Sequence, residues 1–400
     1  MRELPAVLGN PPAFKDPVRF VKPDLPPYST MESALREIVS SGMLTKGAWL
    51  RRFEEAVAKH LGAKHAVAVS SCTTGLMLTY RGLDLQGDVV VPSFTFMATV
   101  SALVWAGLRP VFADVDPGST NLTVEAAERA ITPNTTAIVG VHNFGNPAEI
   151  DELKALADRR GLKLVFDAAH GFGALYRGSP VGRQGNAHVF SLSPTKLLIA
   201  AEGGIVSTDD DRLAEQIRVG REYGNDGRYD SLFAGINARM PEMNALVGFH
   251  GLEMLEGVAQ RRNQAAAEYC RRLRETPGLE PQVVAQGNRC SYKDFSITVD
   301  PDAFGLSRDD LVRALAVENV DTRNYYDPPC HRHKAYRHFA PADLHLPHTE
   351  YLAARSVSLP MGSNLGEGTV QRICDVIARL HQSAPAVKSA LEGTRSSVAV

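Results

Sequence analysis

The chain has 400 residues, 43 Lys+Arg against 45 Asp+Glu for a formal charge of −2, 44% hydrophobic and 22% charged residues. That is ordinary globular composition, long enough to bury a large core and divide into two domains. The balance argues against a nucleic-acid binder, which shows a basic excess or stripe, and no apolar run is long enough to cross a bilayer. The opening MRELPAVLGNPPAFKDP lacks the apolar core of a signal peptide. Cys72, Cys270, Cys290, Cys330 and Cys374 are scattered without a CxxC. They are not a disulfide scaffold, which points to a reducing cytoplasm.

Residues 1–30 are Pro-rich and non-periodic, and read as an arm lying on the body or on a partner subunit. Helical patterns follow over Met31–Ser40 and Ala48–Leu61, the second with Phe53, Val57 and Leu61 on one face. The short β-branched strand AKHAVAVSS then leads into a helix at TTGLMLTYRGL. From there to about residue 210 strands and helices alternate. Strands are expected at Val89–Val91, Pro110–Asp114, Ala137–His142, Lys163–Asp167, His188–Ser191 and Gly204–Ser207, and helices at Thr99–Ala106, Val124–Ala130 and Ile150–Arg160. Apolar strands alternating with amphipathic helices indicate an α/β fold with a mostly parallel sheet. Many strands end in polar clusters (SSCTT, PSFTF, DVD, HNFGN, DAAH, SLSPTK). In open α/β sheets the ligand site lies at the carboxyl ends of the strands, so these clusters should converge on one cleft.

A long helix is expected from Pro241 to about Arg274, leading out of the first domain. Beyond it, strand SYKDFSITV, helix SRDDLVRALAVE, strand VDTRNYY and helix VQRICDVIARLHQ outline a smaller α+β unit. The expected division is an arm at 1–30, a large domain at 31–255, a small domain at 256–382 and a flexible tail at 383–400, small and polar enough to fray.

Two residues stand out chemically. Lys196 sits in FSLSPTKLLIAAEGG, between a strand and a turn. A lysine there is ordinarily a surface residue; a Schiff-base lysine needs a positioned, partly desolvated amine. Asp167 ends the apolar strand KLVFD, where a carboxylate must meet a cation or several donors. It can be a helix cap or an ion-pair partner. Paired with Lys196, it can instead hold a pyridinium nitrogen, the combination that marks pyridoxal 5′-phosphate enzymes. SSCTTGL follows a strand and opens a helix, so its amides can receive a phosphate, with Thr73 and Thr74 as further donors. Phe96 ends the next strand and could stack on a ring. Neither GxGxxG nor GxxxxGK[ST] nor GxSxG is present. CHRH at 330–333 and HLPH at 345–348 lack the companion CxxC or HExxH of a zinc site, so no metal is expected.

Five ordered runs carry a resemblance: FEEAVAKHLGAKHAVAVSSCTTGL, DVVVPSFTFMATVSALVWAGLRPVFADVDP, LVFDAAHGFGALYRGSPVG, FSLSPTKLLIAAEGGIVST and GINARMPEMNA. From about Gly47 to about Ile377 the chain resembles the DegT/DnrJ/EryC/StrS family of pyridoxal-phosphate-dependent aminotransferases of nucleotide-linked keto-sugars. The resemblance implies fold type I: a large domain with a mainly parallel seven-stranded sheet, a small C-terminal α+β domain, and a homodimer with active sites at the interface. It assigns Lys196 as the Schiff-base lysine and proton shuttle, and Asp167 as the acid on the pyridine nitrogen. His170 then lies against the ring hydroxyl, Phe96 stacks on the ring, and Thr73, Thr74 and Ser191 hold the phosphate. Asn237 reaches the phosphate of the neighbouring subunit. His331 faces the sugar, and Arg239 lies near the same interface. Two departures flank the cofactor residues: Lys196-Leu197-Leu198 where the family often reads TKNLG, and Ser71-Cys72-Thr73 where it usually reads SGT.

The implied reaction is a two-stage transamination. L-glutamate gives its amino group to the cofactor, leaving pyridoxamine 5′-phosphate, and a keto-sugar nucleotide then receives it. The expected substrate is dTDP-4-keto-6-deoxy-D-glucose, aminated at C4 in amino-sugar biosynthesis; a 3-keto-sugar nucleotide is the near alternative. Another class of the same fold, a sugar dehydratase or lyase, is the second alternative. Dehydrating relatives carry His in place of the lysine, and Lys196 disfavours that branch.

Overall fold

A computed structural model describes residues 4–363 and 365–397. Residues 1–3 of the expected arm and 398–400 of the expected tail lie outside the described residues.

A first group of strands is β1 (His65–Val69), β2 (Asp88–Pro92), β3 (Arg109–Ala113), β4 (Thr135–Val141), β5 (Lys163–Asp167), the short hairpin β6 (Leu175–Tyr176) and β7 (Ser179–Pro180), β8 (Ala187–Ser191) and β9 (Gly204–Thr208). Around them run α1 (Tyr28–Ser41), α2 (Ala48–Leu61), α3 (Cys72–Gly82), α4 (Met97–Trp105), α5 (Val124–Ala130), α6 (Ile150–Arg160), α7 (Asp211–Gly220) and α8 (Glu242–Leu273). All these strands except the hairpin form one seven-stranded sheet in the order β1-β9-β8-β5-β4-β2-β3. Only β9 runs against its neighbours, as expected for a mainly parallel sheet.

Alternation along the strands builds two apolar layers, because successive side chains point to opposite faces. Ala68, Val90, Ile138, Phe166, Phe190 and Ile205 face one layer, joined by Phe53 and Val57 of α2. Val67, Val89, Val91, Val139, Val165 and Val189 face the other, with Leu76 of α3 and Leu103 of α4. Both faces are covered, so the strands read as near-continuous apolar runs.

The C-terminal part contains β10 (Leu279–Pro281), α9 (Pro301–Phe304), β11 (Phe295–Val299), α10 (Arg308–Val317), α11 (Pro347–Arg355), β12 (Ser356–Leu359), α12 (Thr369–Gln382) and α13 (Ala384–Ser397). β10, β11 and β12 pair in an antiparallel three-stranded sheet.

Four expectations need correcting. Residues 384–397 form α13, whose Ala384, Val387 and Leu391 are buried in the C-terminal core. VDTRNYY is not a strand; Val320 and Arg323 make only isolated bridges, to Val18 and Ser358. No break falls at 255/256: α8 is continuous, with Leu255 and Ala259 in a large-domain layer and Tyr269 and Leu273 in the C-terminal core. Finally, Cys330 and Leu346, placed in the small domain by sequence, pack into the layer behind α3 and α4. The arm lies on its own chain. Phe14 is buried in the C-terminal core, and Ala6 and Ala13 donate their amides to Glu318 at 2.8 and 2.7 Å.

Candidate active site

Strand ends converge as the polar clusters suggest. At the carboxyl ends of β4, β5 and β8, beside the first turn of α3, lies a cavity of about 390 Å³, within the size range of small-ligand sites. Thr73, Phe96, Asp167, His170, Ser191 and Lys196 all line it.

Asp167 is the last residue of β5 and 5% exposed. Its Oδ2 accepts from the Thr99 hydroxyl at 2.7 Å and its Oδ1 from the Ala169 amide at 3.0 Å. Burial pushes the carboxyl above its usual range against these two donors. The Cys72 thiol approaches Oδ1 at 3.8 Å and the Lys196 charge also favours the carboxylate, but no cation makes a direct ion pair with it, so an incoming positive charge would be favoured here.

Lys196 is placed by a turn after β8 in which its amide donates to Ser193 O at 3.0 Å. Burial, then the neighbouring Lys293 ammonium, pull its amine down to about 8. That leaves roughly a tenth of the amine neutral at pH 7, far more than for an ordinary lysine, and the neutral form is the nucleophile and base.

His170 is held neutral, well below the usual imidazole value, by burial and then by the Lys196 and Lys293 charges. Phe96 caps the start of α4 and keeps half of its surface exposed at the cavity, free to cover a flat ligand. Ser191 ends β8 and is 8% exposed.

The first turn of α3 separates two residues that the sequence treats alike. Thr74 closes a capping box with Ser71: its amide donates to Ser71 Oγ at 3.1 Å and its own hydroxyl accepts from the Ser71 amide at 3.1 Å. Its side chain serves the turn and does not line the cavity, whereas Thr73 does. First-turn amides have no intrahelical partner, so those of Cys72 and Thr73 are available to an anion. Gly204 makes this approach possible, since a Cβ there would lie 2.6 Å from Cys72 N.

Three expected residues lie away from this cavity. Asn237 is exposed and faces Glu222 across an isolated bridge. Arg239 donates to Glu222 Oε2 at 3.1 Å and packs over the Tyr223 ring. His331 is tied at both ring nitrogens, Nδ1 to Ser93 Oγ at 2.7 Å and Nε2 to Glu350 Oε1 at 2.8 Å.

Sequence reasoning missed Lys293, Asp294, Tyr325 and Tyr326, which also line the cavity. Their only sequence signal is a charge pair in YKDFSITV and a tyrosine pair in NYY, both read simply as strand. His142 was missed as well. It is fully buried under the cavity and pulled down to about 3 by burial. Its Nδ1 accepts from the Ala148 amide at 3.0 Å, which leaves the proton on Nε2.

A lysine amine and a buried acid on the same strand ends, with an anion-ready helix start and an exposed aromatic ring, define an aminotransferase-type site of fold type I. The comparisons agree. The profile of the DegT/DnrJ/EryC1/StrS aminotransferase family matches residues 29–378, and the chain belongs to that family. It is similar at 38% identity to DesI, solved in the presence of its TDP-sugar product, over 98% of both chains with a TM-score of 0.89. It is 34% identical to S. venezuelae DesV, solved in complex with a ketimine intermediate, over 92% of this chain and 99% of that one at a TM-score of 0.86. To Helicobacter pylori PseC, an aminotransferase of pseudoaminic acid biosynthesis, it is 26% identical over 92% and 100%, again with a TM-score of 0.86. The chain is thus a sugar aminotransferase by family, and this family is generally pyridoxal-phosphate-dependent. The residues present fit that group: a buried acid without a direct ion pair for a ring cation, a lowered lysine amine, and unpaired helix amides for a phosphate.

Among the described residues no helix is long and apolar enough to cross a membrane.

Proposed function

We propose that this chain transfers the amino group of L-glutamate to C4 of dTDP-4-keto-6-deoxy-D-glucose, in the cytoplasm, as a homodimer with pyridoxal 5′-phosphate held at Lys196. The observation that carries the reaction type is the presence of the lowered Lys196 amine and the buried Asp167 carboxyl in one cavity. The dTDP part is supported by the similarity to DesI, whose structure holds a TDP-sugar product. C4 and glutamate rest on the sequence resemblance.

When bound, the cofactor supplies a protonated ring that disperses the negative charge formed at the amino-acid carbon. Asp167, its carboxyl fixed by Ala169 and Thr99, would hold the proton on the ring nitrogen. Cys72 and Thr73 amides and the Ser191 hydroxyl would bind the phosphate, and Phe96 would cover the ring and exclude water from one face. His170, kept neutral, can hydrogen-bond the ring hydroxyl without adding charge. Lys196 Nζ takes the donor's Cα proton and gives it back, acting as base and then acid. Asn237 and Arg239 lie exposed or half-buried outside their own cavity, which supports their acting on a second subunit's site.

Absorbance spectroscopy tests the reading. The visible band of the lysine-bound cofactor should bleach with L-glutamate and return with dTDP-4-keto-6-deoxyglucose. Bleaching without recovery keeps the aminotransferase and rejects this sugar. No visible band after cofactor addition rejects the Lys196–Asp167 assignment.

A further inference from the structure

Two ammonium groups share the cavity. One is Lys196; the other is Lys293, two positions before β11. Lys293 is 5% exposed and its neighbour Asp294 1%. Their side chains pair, Lys293 Nζ lying 2.8 Å from Asp294 Oδ1 and 3.0 Å from Oδ2. The Lys293 backbone is pinned at both ends: its amide donates to Phe144 O at 3.0 Å, and its carbonyl accepts from Arg262 Nη1 at 3.0 Å. Aromatic rings shield the ammonium, Tyr325 at 5.5 Å and Phe20 at 5.8 Å from Nζ. Phe20 belongs to the arm, outside the part matched by the family profile, and is itself held by Asp321 and Met361.

A buried ion pair is an expensive way to fill space. This one does not sit inside an apolar core; it faces the cavity that holds Lys196. Every ionisable group around that amine can be named. α3 brings Cys72, its thiol kept neutral by burial, and β5 brings Asp167. The turn after β5 brings neutral His170, and neutral His142 lies beneath. Glu202 follows Lys196, and Tyr325 and Tyr326 close the wall, both phenols held up by burial. Arg262, with Asp24 and Asp294 near it, and Arg323, paired with Asp321, lie behind the Lys293 pair. Lys293 is therefore the one cation besides Lys196 among the described residues lining the cavity. At Lys196 its influence outweighs the opposing pull of Asp294. In a poorly hydrated pocket, one fixed ammonium opposes protonation of another.

We propose that Lys293 is a positioning residue for the reaction, a second ammonium tethered by Asp294 whose charge opposes protonation of the Lys196 amine and so favours its nucleophilic, basic form. The assignment deepens the transamination reading and rests on it for its purpose, though not for its measurement. Lys293 touches no reacting atom in this role; it acts through the proton affinity of Lys196 Nζ.

The test is competitive acetylation of the full chain, freed of cofactor, with acetic anhydride across pH, read by mass spectrometry on the Lys196 peptide. In the unaltered chain Lys196 should titrate near 8. Lys293→Gln should move the midpoint up by about one unit, and Lys293→Arg, which keeps the charge, should return it towards the original value. A purely structural role would be disturbed by Arg as much as by Gln and would not follow charge. Should Lys293→Gln fail to fold around an unpaired Asp294, the double variant Lys293→Gln/Asp294→Asn removes the pair without stranding a charge. Its midpoint should also rise. An unmoved midpoint in the folded Gln variant or the double variant overturns the proposal. In a chain that still bleaches with glutamate, that result rejects the role of Lys293 alone. Loss of bleaching in the unaltered chain, with Lys196 still titrating near 8 and rising in Lys293→Gln, rejects the transamination reading alone.

Discussion

Glu242→Ala should lower the melting temperature by about 4–6 °C, and the figure follows from three hydrogen bonds. Glu242 is 2% exposed at the start of α8. Its carboxylate accepts from Gly47 N at 2.8 Å, Trp49 N at 2.8 Å and Leu50 N at 3.0 Å. A side chain 195 residues away thus caps α2, whose own N-cap, Gly47, has no side chain to do so. No other residue type fits at Gly47 without moving the cap, since a Cβ there would meet Glu242 Oε2 at 2.5 Å. Truncation to Ala strands three amides, two of them in buried surroundings. At ~1–3 kcal/mol for each stranded donor, with water able to reach the partly exposed Trp49, the loss is about 3–5 kcal/mol. A chain of 400 residues unfolds with about 0.8 kcal/mol/K of entropy at ~2.1 cal/mol/K per residue, which converts that loss to the stated shift. Calorimetry of the cofactor-free chain reads it directly. Glu242→Gln, which keeps one acceptor oxygen, should fall between. A melt of the Ala variant within about 1 °C of the original would show that water satisfies the amides and would refute the argument. The cap also bears on the site: Met240, two residues earlier, packs on Gly203 of the cavity wall.

Other outcomes follow from the cavity itself. Lys196→Ala should abolish amino transfer but still bind the cofactor non-covalently through Asp167, Phe96 and the first turn of α3; substantial transfer by that variant would reject the assignment of the lysine. Asp167→Asn should cut transfer by about 10²–10³-fold in single-turnover kinetics. It should also change the pH dependence of stability. Burial raises the Asp167 carboxyl above its usual 3.8, so the folded cofactor-free chain holds that proton more tightly than the unfolded one. That contribution favours folding below about 3.8 and is lost as pH rises through the raised value. The Asn variant lacks this term and should gain on the original chain across that window; denaturant melts at pH 4 to 7 that move in parallel would contradict the sign. Gly204→Ala should weaken cofactor binding about tenfold or more, because its Cβ would lie 2.6 Å from the Cys72 N and Ser71 C backbone atoms that must stay in place for the phosphate. Absorbance titration with pyridoxal 5′-phosphate would show an unchanged affinity if that reasoning is wrong.

Much of this site was legible because its main residues sit on local patterns. Lys163–Asp167 is an apolar run closed by an acid, and a strand ending at that acid is what forms. The helix Ile150–Arg160 and the helix Ala48–Leu61 show a 3.6-residue period and keep their expected bounds. Errors came where a contact distant in sequence overrides local composition. The small, polar stretch after Ser383 looks like a fraying tail, yet Val387 and Leu391 find a core built by α10, α12 and the arm. VDTRNYY has strand composition, but Tyr325 and Tyr326 are drawn to the cavity wall instead of a ladder. Thr73 and Thr74 are equivalent as letters; helix geometry gives one to the cavity and the other to the capping box.

The sequence alone determined that a parallel α/β sheet carries Asp167 and Lys196 on polar strand ends, because strand alternation and apolar burial are local signals and the family motifs lie in contiguous runs. Tertiary structure decided what surrounds the amine. Lys293 and Asp294 lead into β11 of the second sheet, about a hundred residues further along the chain than Lys196, and Phe20 comes from the arm. Only packing of the C-terminal part and the arm against the large domain brings that second charge to the same cavity, since an electrostatic influence depends on distance and burial and not on order along the chain.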